Sequence, residues 1–189
     1  MTAELILASS SPRRHELLRA ARIPFTARTA DIDEDLLPGE APRAYTERLA
    51  FEKAAVIHKT APAAFVLGAD TTVVIDEHIL AKPLDAPDAR RMLQLLSNRQ
   101  HQVLTSVCLL GPNTRDIRTD TTQVYFSEVT SSEIDWYIST GEPMDKAGAY
   151  GIQGIASRWI PRIEGCYFNV MGLPLSLVWR MLRDAGFTA

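Results

Sequence analysis

Segments that predict strands alternate along the chain with segments that predict helices, and this alternation restricts the fold more than any other feature. The longest strand candidate, Phe65–Ile75, is dense in β-branched residues and is interpreted as a buried strand. Helices are predicted on either side of it, from Pro42 to about His58 and from Pro87 to Asn98, where apolar residues recur at helical spacing. Strands interleaved with helices are typical of α/β proteins.

The remaining elements follow the same alternation. Further strands are predicted at Leu5–Ala8, Pro24–Thr29, Gln102–Leu110, Thr119–Phe126, Arg158–Ile163 and Tyr167–Met171. Further helices are predicted from Pro12 onward, at Ser131–Thr140 with a serine as its cap, and at Pro174–Ala185. A hairpin after Ile75 and another after Leu110 require antiparallel pairing. We therefore predict an α/β fold with a mixed β-sheet flanked by helices, as a single domain over residues 1–189.

The first strand runs into three serines, Ser9 to Ser11, followed by a helix start. Ser11 is predicted to be the N-cap residue and Pro12 suits the first helical position. Arg13 and Arg14 then lie in the first turn, where the helix dipole disfavours cations, so an anion is expected nearby. Backbone N–H groups, serine hydroxyls and two guanidinium groups together suit a phosphate. The alternative is an ordinary capped helix with solvated arginines.

A second informative residue is Asp70, which lies in the middle of the longest apolar strand. A buried carboxylate is costly unless it is paired or bound to a metal. The alternative is that the apolar run breaks at Gly68 and Asp70 caps a turn. The hairpin after Ile75 returns Lys82 towards Asp70, and Glu34 lies in an acidic segment predicted to be a loop. Such acids and cations together suit metal-assisted phosphoryl chemistry.

Composition and motifs exclude several classes of function. The net charge of −3 provides no general attraction to nucleic acid, no apolar run reaches transmembrane length, and the N-terminus lacks the basic start of a signal peptide. We predict a cytoplasmic protein with neither nucleic acid nor membrane as a partner. The chain has no P-loop, no dinucleotide fingerprint and no nucleophile elbow. Cys108 and Cys166 are predicted to be reduced, with a single disulfide as the alternative.

Seven short motifs complete the pattern. They are Ser9-Ser-Ser-Pro-Arg-Arg14, Asp31-Ile-Asp-Glu34, Gly68-Ala-Asp-Thr71, Lys82-Pro83, Leu96-Ser97, Asp145-Lys-Ala-Gly-Ala-Tyr-Gly-Ile-Gln-Gly154 and Gly172-Leu-Pro174. Over essentially the whole chain they resemble the Maf family of nucleotide pyrophosphatases, once described as septum-formation inhibitors. The segment from Asp145 to Gly154 is the most specific of them.

The resemblance implies hydrolysis of nucleoside triphosphates between the α and β phosphates, with a divalent cation, Mg²⁺ or Mn²⁺, as cofactor. It also implies two lobes with an active-site cleft between them, and a homodimer. Thr71 after Asp70 resembles the branch that acts on dTTP and UTP, including modified uridine triphosphates, whereas a branch with glutamine there prefers a methylated guanine nucleotide.

Residue by residue, the resemblance makes Asp70 the proton acceptor and Glu34 an acid that, with Asp70, holds the metal. Lys82 joins them as a catalytic residue. Substrate-binding residues are then Ser9, Ser11, Arg13, Arg14, Lys53, Thr71 and Gln153, among which Arg13, Thr71 and Gln153 fall where the family tunes substrate choice. An ordinary aspartate is a weak base at neutral pH, so Asp70 either has a raised pKa or acts chiefly as a metal ligand.

The sequence is also compatible with two other functions. One is a nucleotide-binding regulator of cell division without significant turnover, which would not need Asp70. The other is a metal-dependent phosphatase or nuclease acting on phosphate esters, although a nuclease would want a broader basic surface than this chain offers.

Overall fold

The computed structural model describes residues 4–188. In chain order the elements are β1 (Leu5–Ala8), α1 (Pro12–Ala20), β2 (Thr26–Arg28), α2 (Pro42–His58), β3 (Phe65–Ile75), β4 (His78–Leu80), α3 (Ala86–Leu96), β5 (Gln100–Gly111), β6 (Thr114–Tyr125), α4 (Ser131–Ser139), β7 (Arg162–Glu164), α5 (Tyr167–Val170) and α6 (Leu175–Asp184). Three short 3₁₀ helices lie between α4 and β7, at Glu142–Asp145, Ala147–Ala149 and Ile155–Trp159.

Within residues 4–188 the strands form one seven-stranded sheet in the order β2-β1-β3-β5-β6-β7, with β4 added to β3. β1 is parallel to both of its neighbours, β2 and β3, and the remaining pairs are antiparallel. The predicted α/β fold with a mixed sheet is therefore confirmed. The two predicted hairpins are present as the pairs β3–β4 and β5–β6.

Helices cover the sheet and enclose three apolar clusters. α2 packs through Ala50 and Ala54 on β1, β3 and β5, while α1 and α6 enclose a second cluster with the first half of β3. The third cluster gathers the second half of β3, β4, α3, α4 and the 3₁₀ segments. Contact between α2 and β3 depends on Gly68, because a Cβ there would lie 2.2 Å from the carbonyl oxygen of Ala50. This close approach sets α2, and the side chains it carries, directly over β3.

The edge of β3 has a gap that positions the functional site. β1 pairs with Phe65–Leu67 and β4 pairs with Val73–Ile75, and no described strand pairs with residues 68–72 on that edge. The gap lies between the cluster under α1 and α6 and the cluster under α3 and α4. A cleft therefore opens where the middle of β3 has no partner strand on this edge, in keeping with the predicted two-lobed arrangement.

Several local predictions are confirmed and some are wrong. The bounds predicted for α2 and β3 match the structure, and Cys108 and Cys166 are free thiols. The segment predicted as a strand at Tyr167–Met171 is instead the short helix α5, and of the strand predicted at Arg158–Ile163 only the end belongs to β7. Aromatic and β-branched content suggested strands there, but strand propensity is weak and tertiary contacts override it.

The N-terminal caps of two helices also differ from the prediction. Ser11 occupies the N-cap position of α1, yet its side chain makes no capping hydrogen bond. α4 is capped by Thr130, not by a serine, through a reciprocal capping box with Glu133. None of the helices in residues 4–188 combines the length and the hydropathy needed to cross a bilayer.

Candidate active site

A cavity of about 580 Å³ lies beside the stretch of β3 that has no partner strand on one edge. Its walls come from the end of β1 and the start of α1, from α2, from the segment after β4 and from the 3₁₀ region. All ten residues predicted for catalysis, metal binding or substrate binding line this one cavity: Ser9, Ser11, Arg13, Arg14, Glu34, Lys53, Asp70, Thr71, Lys82 and Gln153. The fold thus brings together residues that are spread over most of the chain.

The N-terminus of α1 forms one wall, and its two arginines are not freely solvated. Arg13 Nη1 lies 3.2 Å from Asp145 Oδ2 across the cavity, and the Asp145 side chain is 63% exposed. An exposed pair of this kind contributes little to stability and can exchange its carboxylate for a ligand phosphate. The ordinary capped helix with solvated arginines therefore does not describe this turn.

Arg14 is held from three directions. Its Nε donates to the carbonyl oxygen of Gly172 at 2.8 Å, Nη1 to Ser9 Oγ at 3.3 Å, and Nη2 to Thr71 Oγ1 at 3.1 Å. Burial lowers the pKa of the Arg14 guanidinium, against the opposing attraction of the Asp70 carboxylate. Even so, an arginine stays charged in a protein, so Arg14 places a fixed positive charge in the cavity wall.

Asp70 lies within β3 opposite Ser106 of β5, so the alternative in which it caps a turn is wrong. Lys53 Nζ on α2 is 2.7 Å from Asp70 Oδ1 and 2.8 Å from Glu34 Oε1. Two carboxylates thus converge on one ammonium group. Burial raises the pKa of Asp70, although the charge and hydrogen bond of Lys53 oppose this rise. Partial burial disfavours ionised Glu34, but the hydrogen bond and charge of Lys53 outweigh it and lower the pKa of Glu34.

The donor set fits a divalent cation only if the substrate completes it. Among residues 4–188 no group of three or more His, Cys, Asp or Glu side chains has the arrangement of a protein-only metal site. Mg²⁺ in nucleotide-binding enzymes is commonly held by one or two carboxylates together with substrate phosphates and water. Glu34 and Asp70 provide two such carboxylates, already converging on a cation.

The wall opposite α1 is shaped by glycines and by one acid. Gln153 is exposed at the cavity, and the loop after it is fixed by Glu142, whose carboxylate accepts from the N–H of Ile155 at 3.0 Å and from the hydroxyl of Tyr137 at 3.0 Å. A Cβ on Gly154 would lie 2.1 Å from Glu142 Oε1. Lys82 is exposed after β4, and its positive charge helps to lower the pKa of Glu34.

The sequence does not indicate the roles of several residues in the site. The Tyr45 hydroxyl donates to the backbone oxygen of Glu34 at 2.9 Å and Tyr45 lines the cavity, but its helical spacing predicts only a core residue. Thr105 and Asn169 are fully buried behind Thr71, and no motif points to them. Asp145 belongs to the most specific motif, but its pairing with Arg13 appears only in three dimensions.

Comparison with known proteins relates this site to a family. Residues 4–185 match the family described as Maf-like protein. A dTTP/UTP pyrophosphatase of Koribacter versatilis is 55% identical over 96% of this chain and 94% of its own length. A dTTP/UTP pyrophosphatase of Symbiobacterium thermophilum is 48% identical over 97% of this chain and 95% of its own length.

A solved structure is similar at the level of the fold. The Ham1 protein of Staphylococcus aureus superimposes with a TM-score of 0.55 at 14% identity, covering 96% of this chain and 99% of that protein. At that identity the likeness concerns the architecture alone. From the match over residues 4–185 and from relatives near 50% identity, we conclude that this chain belongs to the Maf-like protein family.

Proposed function

We propose that the protein is a nucleoside triphosphate pyrophosphatase that hydrolyses dTTP and UTP to the nucleoside monophosphate and pyrophosphate. The observation that carries this proposal is a single cavity lined by Asp70 and Glu34, which share Lys53, and by Arg13 and Arg14. Such a cavity suits a polyanionic substrate that is attacked by water. The relatives named dTTP/UTP pyrophosphatase, similar over nearly the whole chain, support the same reaction.

In this proposal the cations hold the triphosphate and Asp70 receives the proton of the attacking water. The water oxygen attacks the α-phosphorus, and the bond from that phosphorus to the α–β bridging oxygen breaks. Pyrophosphate leaves with the electron pair of that bond. The raised pKa of Asp70 favours this role, because general-base catalysis is most effective when the pKa approaches the working pH. Lys53, whose Nζ donates to Asp70 Oδ1 at 2.7 Å, keeps the carboxylate in place.

We propose Mg²⁺ or Mn²⁺ as the cofactor, held by Glu34 and Asp70 together with phosphate oxygens of the substrate. When bound, such a cation neutralises phosphate charge and makes water more acidic. Lys53 already neutralises part of the negative charge of the two carboxylates in this structure, at 2.7 and 2.8 Å. Lys82 and Arg13 would add positive charge on the substrate side, since both line the cavity.

Base recognition is assigned to Thr71 and Gln153, which lie on two different walls of the cavity. A hydroxyl and an amide can pair with the N3–H and O4 edge of uracil or thymine. Sites built to bind one such edge can discriminate by several kcal/mol when a mismatched base leaves their polar groups unpaired. We also propose that the protein is a homodimer located in the cytoplasm, and that modified pyrimidine triphosphates are further substrates.

The test is a product assay on the purified protein with the eight common ribo- and deoxyribonucleoside triphosphates. Each is incubated with Mg²⁺, with Mn²⁺ or with excess chelator, and anion-exchange chromatography separates pyrophosphate from orthophosphate. We expect monophosphate plus pyrophosphate, no turnover in chelator, and kcat/KM for UTP and dTTP at least about tenfold above GTP and ATP, a gap of about 1.4 kcal/mol.

Three results would contradict the proposal in different ways. Orthophosphate as the first product would indicate a phosphatase. Tight nucleotide binding without turnover in any metal would indicate a binding regulator. A purine triphosphate with the highest kcat/KM would refute the base assignment to Thr71 and Gln153 while leaving the pyrophosphatase reaction in place.

A further inference from the structure

A short relay of hydrogen bonds runs from the cavity into the core behind Thr71. Arg14 Nη2 donates to Thr71 Oγ1 at 3.1 Å, Thr71 Oγ1 lies 2.9 Å from Thr105 Oγ1, and Thr105 Oγ1 donates to the carbonyl oxygen of Asn169 at 2.9 Å. Thr71 lines the cavity, whereas Thr105 and Asn169 are both 0% exposed. The relay therefore joins a cavity residue to two residues that a ligand cannot touch.

Proton counting gives the relay one direction. A carbonyl oxygen only accepts, so the bond between Thr105 and Asn169 uses the single hydroxyl proton of Thr105. Thr105 can then only accept from Thr71, which spends the single proton of Thr71 on that bond. The reverse order would leave Thr105 Oγ1 and the Asn169 oxygen, two acceptors, facing each other at 2.9 Å in a buried site, which is unfavourable.

The carbonyl at the end of the relay is held rigidly. The Asn169 side-chain amide donates to the carbonyl oxygen of Val103 at 2.9 Å and to Thr122 Oγ1 at 3.0 Å. The backbone N–H of Gly172 also donates to the Asn169 carbonyl oxygen, at 2.9 Å. The short helix α5 is thus anchored to β5 and β6, and its carbonyl oxygen is fixed as an acceptor behind Thr105.

The Thr71 hydroxyl consequently offers the cavity no proton. One of its two lone pairs accepts from Arg14, and the other remains for a ligand. Thr71 lines the cavity, so a ligand bound there can reach this lone pair. Thr71 can accept a hydrogen bond from a ligand N–H group, but it cannot donate one to a ligand lone pair.

We propose that Thr105 is a positioning residue that, with the Asn169 carbonyl, fixes Thr71 as a pure acceptor and so selects pyrimidines protonated at N3. This inference rests on the proposed function. Uracil and thymine carry an N3–H group that Thr71 can accept, whereas cytosine presents a lone pair at N3 that would face the lone pair of Thr71. The relay therefore disfavours CTP relative to UTP, although Thr105 touches neither nucleotide.

The test compares Thr105→Val with Thr105→Ser, using kcat/KM for UTP and for CTP. Valine keeps the shape of threonine but removes the hydroxyl, which frees the proton of Thr71 to turn towards the cavity. We expect the ratio of kcat/KM for UTP to that for CTP to fall at least about tenfold in Thr105→Val, mainly because CTP is cleaved faster, and to stay within about twofold of wild type in Thr105→Ser. A merely structural role would slow both nucleotides equally and leave the ratio unchanged.

The outcomes separate this inference from the proposed function. A wild-type protein that does not cleave UTP overturns both. A folded Thr105→Val protein that keeps the wild-type ratio overturns the inference alone. If Thr105→Val does not fold, Thr71→Val is assayed in the same way, because valine removes the lone pair that faces N3 of the base and leaves the contact to position 4 in place. A fall of at least about tenfold in the ratio of kcat/KM for UTP to that for CTP supports the acceptor role, and an unchanged ratio overturns it.

Discussion

Replacement of Asp70 by asparagine separates catalysis from stability, because Lys53 has two carboxylate partners. Removing one partner of a buried ion pair commonly costs about 3–5 kcal/mol when the other charge is left uncompensated. Here Glu34 Oε1 stays 2.8 Å from Lys53 Nζ, and the amide oxygen of asparagine can still accept from the ammonium group. We therefore expect Asp70→Asn to lower the free energy of unfolding by only about 1–2 kcal/mol, compared with the full penalty.

The same change should remove most of the activity. The amide keeps the shape of the carboxylate but can neither take a proton from water nor offer a negative charge to a metal. General acid–base groups typically contribute about 10²- to 10⁴-fold to the rate, so kcat should fall by at least about 100-fold. For a chain of this length a loss of 1–2 kcal/mol lowers Tm by roughly 2–8 °C, so the protein should remain folded in the assay.

The control is a double-mutant cycle with Glu34→Gln. Each single variant leaves Lys53 one carboxylate, whereas Asp70→Asn with Glu34→Gln leaves a buried ammonium group with neither of these two partners. The double variant should thus lose more stability than the two singles combined, by about 1–3 kcal/mol in chemical denaturation. If Asp70→Asn kept more than about a tenth of the wild-type kcat with an unchanged Tm, the catalytic role of Asp70 would be refuted. Additive stability losses would refute the shared ion pair.

Two further variants test other parts of the structure. Arg13→Ala should raise KM for UTP about tenfold or more with a small change in kcat, because a charge-assisted phosphate contact is worth about 1.5–3 kcal/mol and forms in both ground and transition states. A fall in kcat at constant KM would contradict this. Burial lowers the pKa of His101 from its usual 6.5 to about 3. Between these two pH values the unfolded chain binds a proton at His101 and the folded protein does not, so the free energy of unfolding falls as the pH drops below 6.5. Between pH 7 and pH 5 the free energy of unfolding of the wild type should fall by about 2 kcal/mol more than that of His101→Gln. Glutamine cannot titrate but can still form a hydrogen bond with Tyr150. Equal losses of stability in urea titrations would exclude His101 as the cause.

The amino-acid sequence predicted the secondary-structure elements with strong local signals. The eleven-residue segment of β3 is dense in β-branched and apolar residues, which favours a buried strand, and the helical spacing of α2 requires an apolar face, so the sequence predicts both elements with their observed bounds. The sequence also indicates which side chains form the site, because a carboxylate within an apolar strand and two arginines at a helix start are costly without a partner. Weak local signals failed, as at Tyr167–Val170, where side chains typical of strands lie in a helix anchored through Asn169.

Which of these groups meet was decided by the tertiary structure. Lys53 reaches Asp70 because Gly68 lets α2 approach β3, and Asp145 reaches Arg13 across a cleft although 132 residues separate them in the sequence. The cleft itself exists because β1 and β4 pair with different ends of β3 and leave one edge of its middle without a partner strand. The order of the relay from Thr71 to Asn169 depends on strand register and on the placement of α5. Such contacts depend on distance and orientation between elements, which a pattern of neighbouring residues along the chain does not encode.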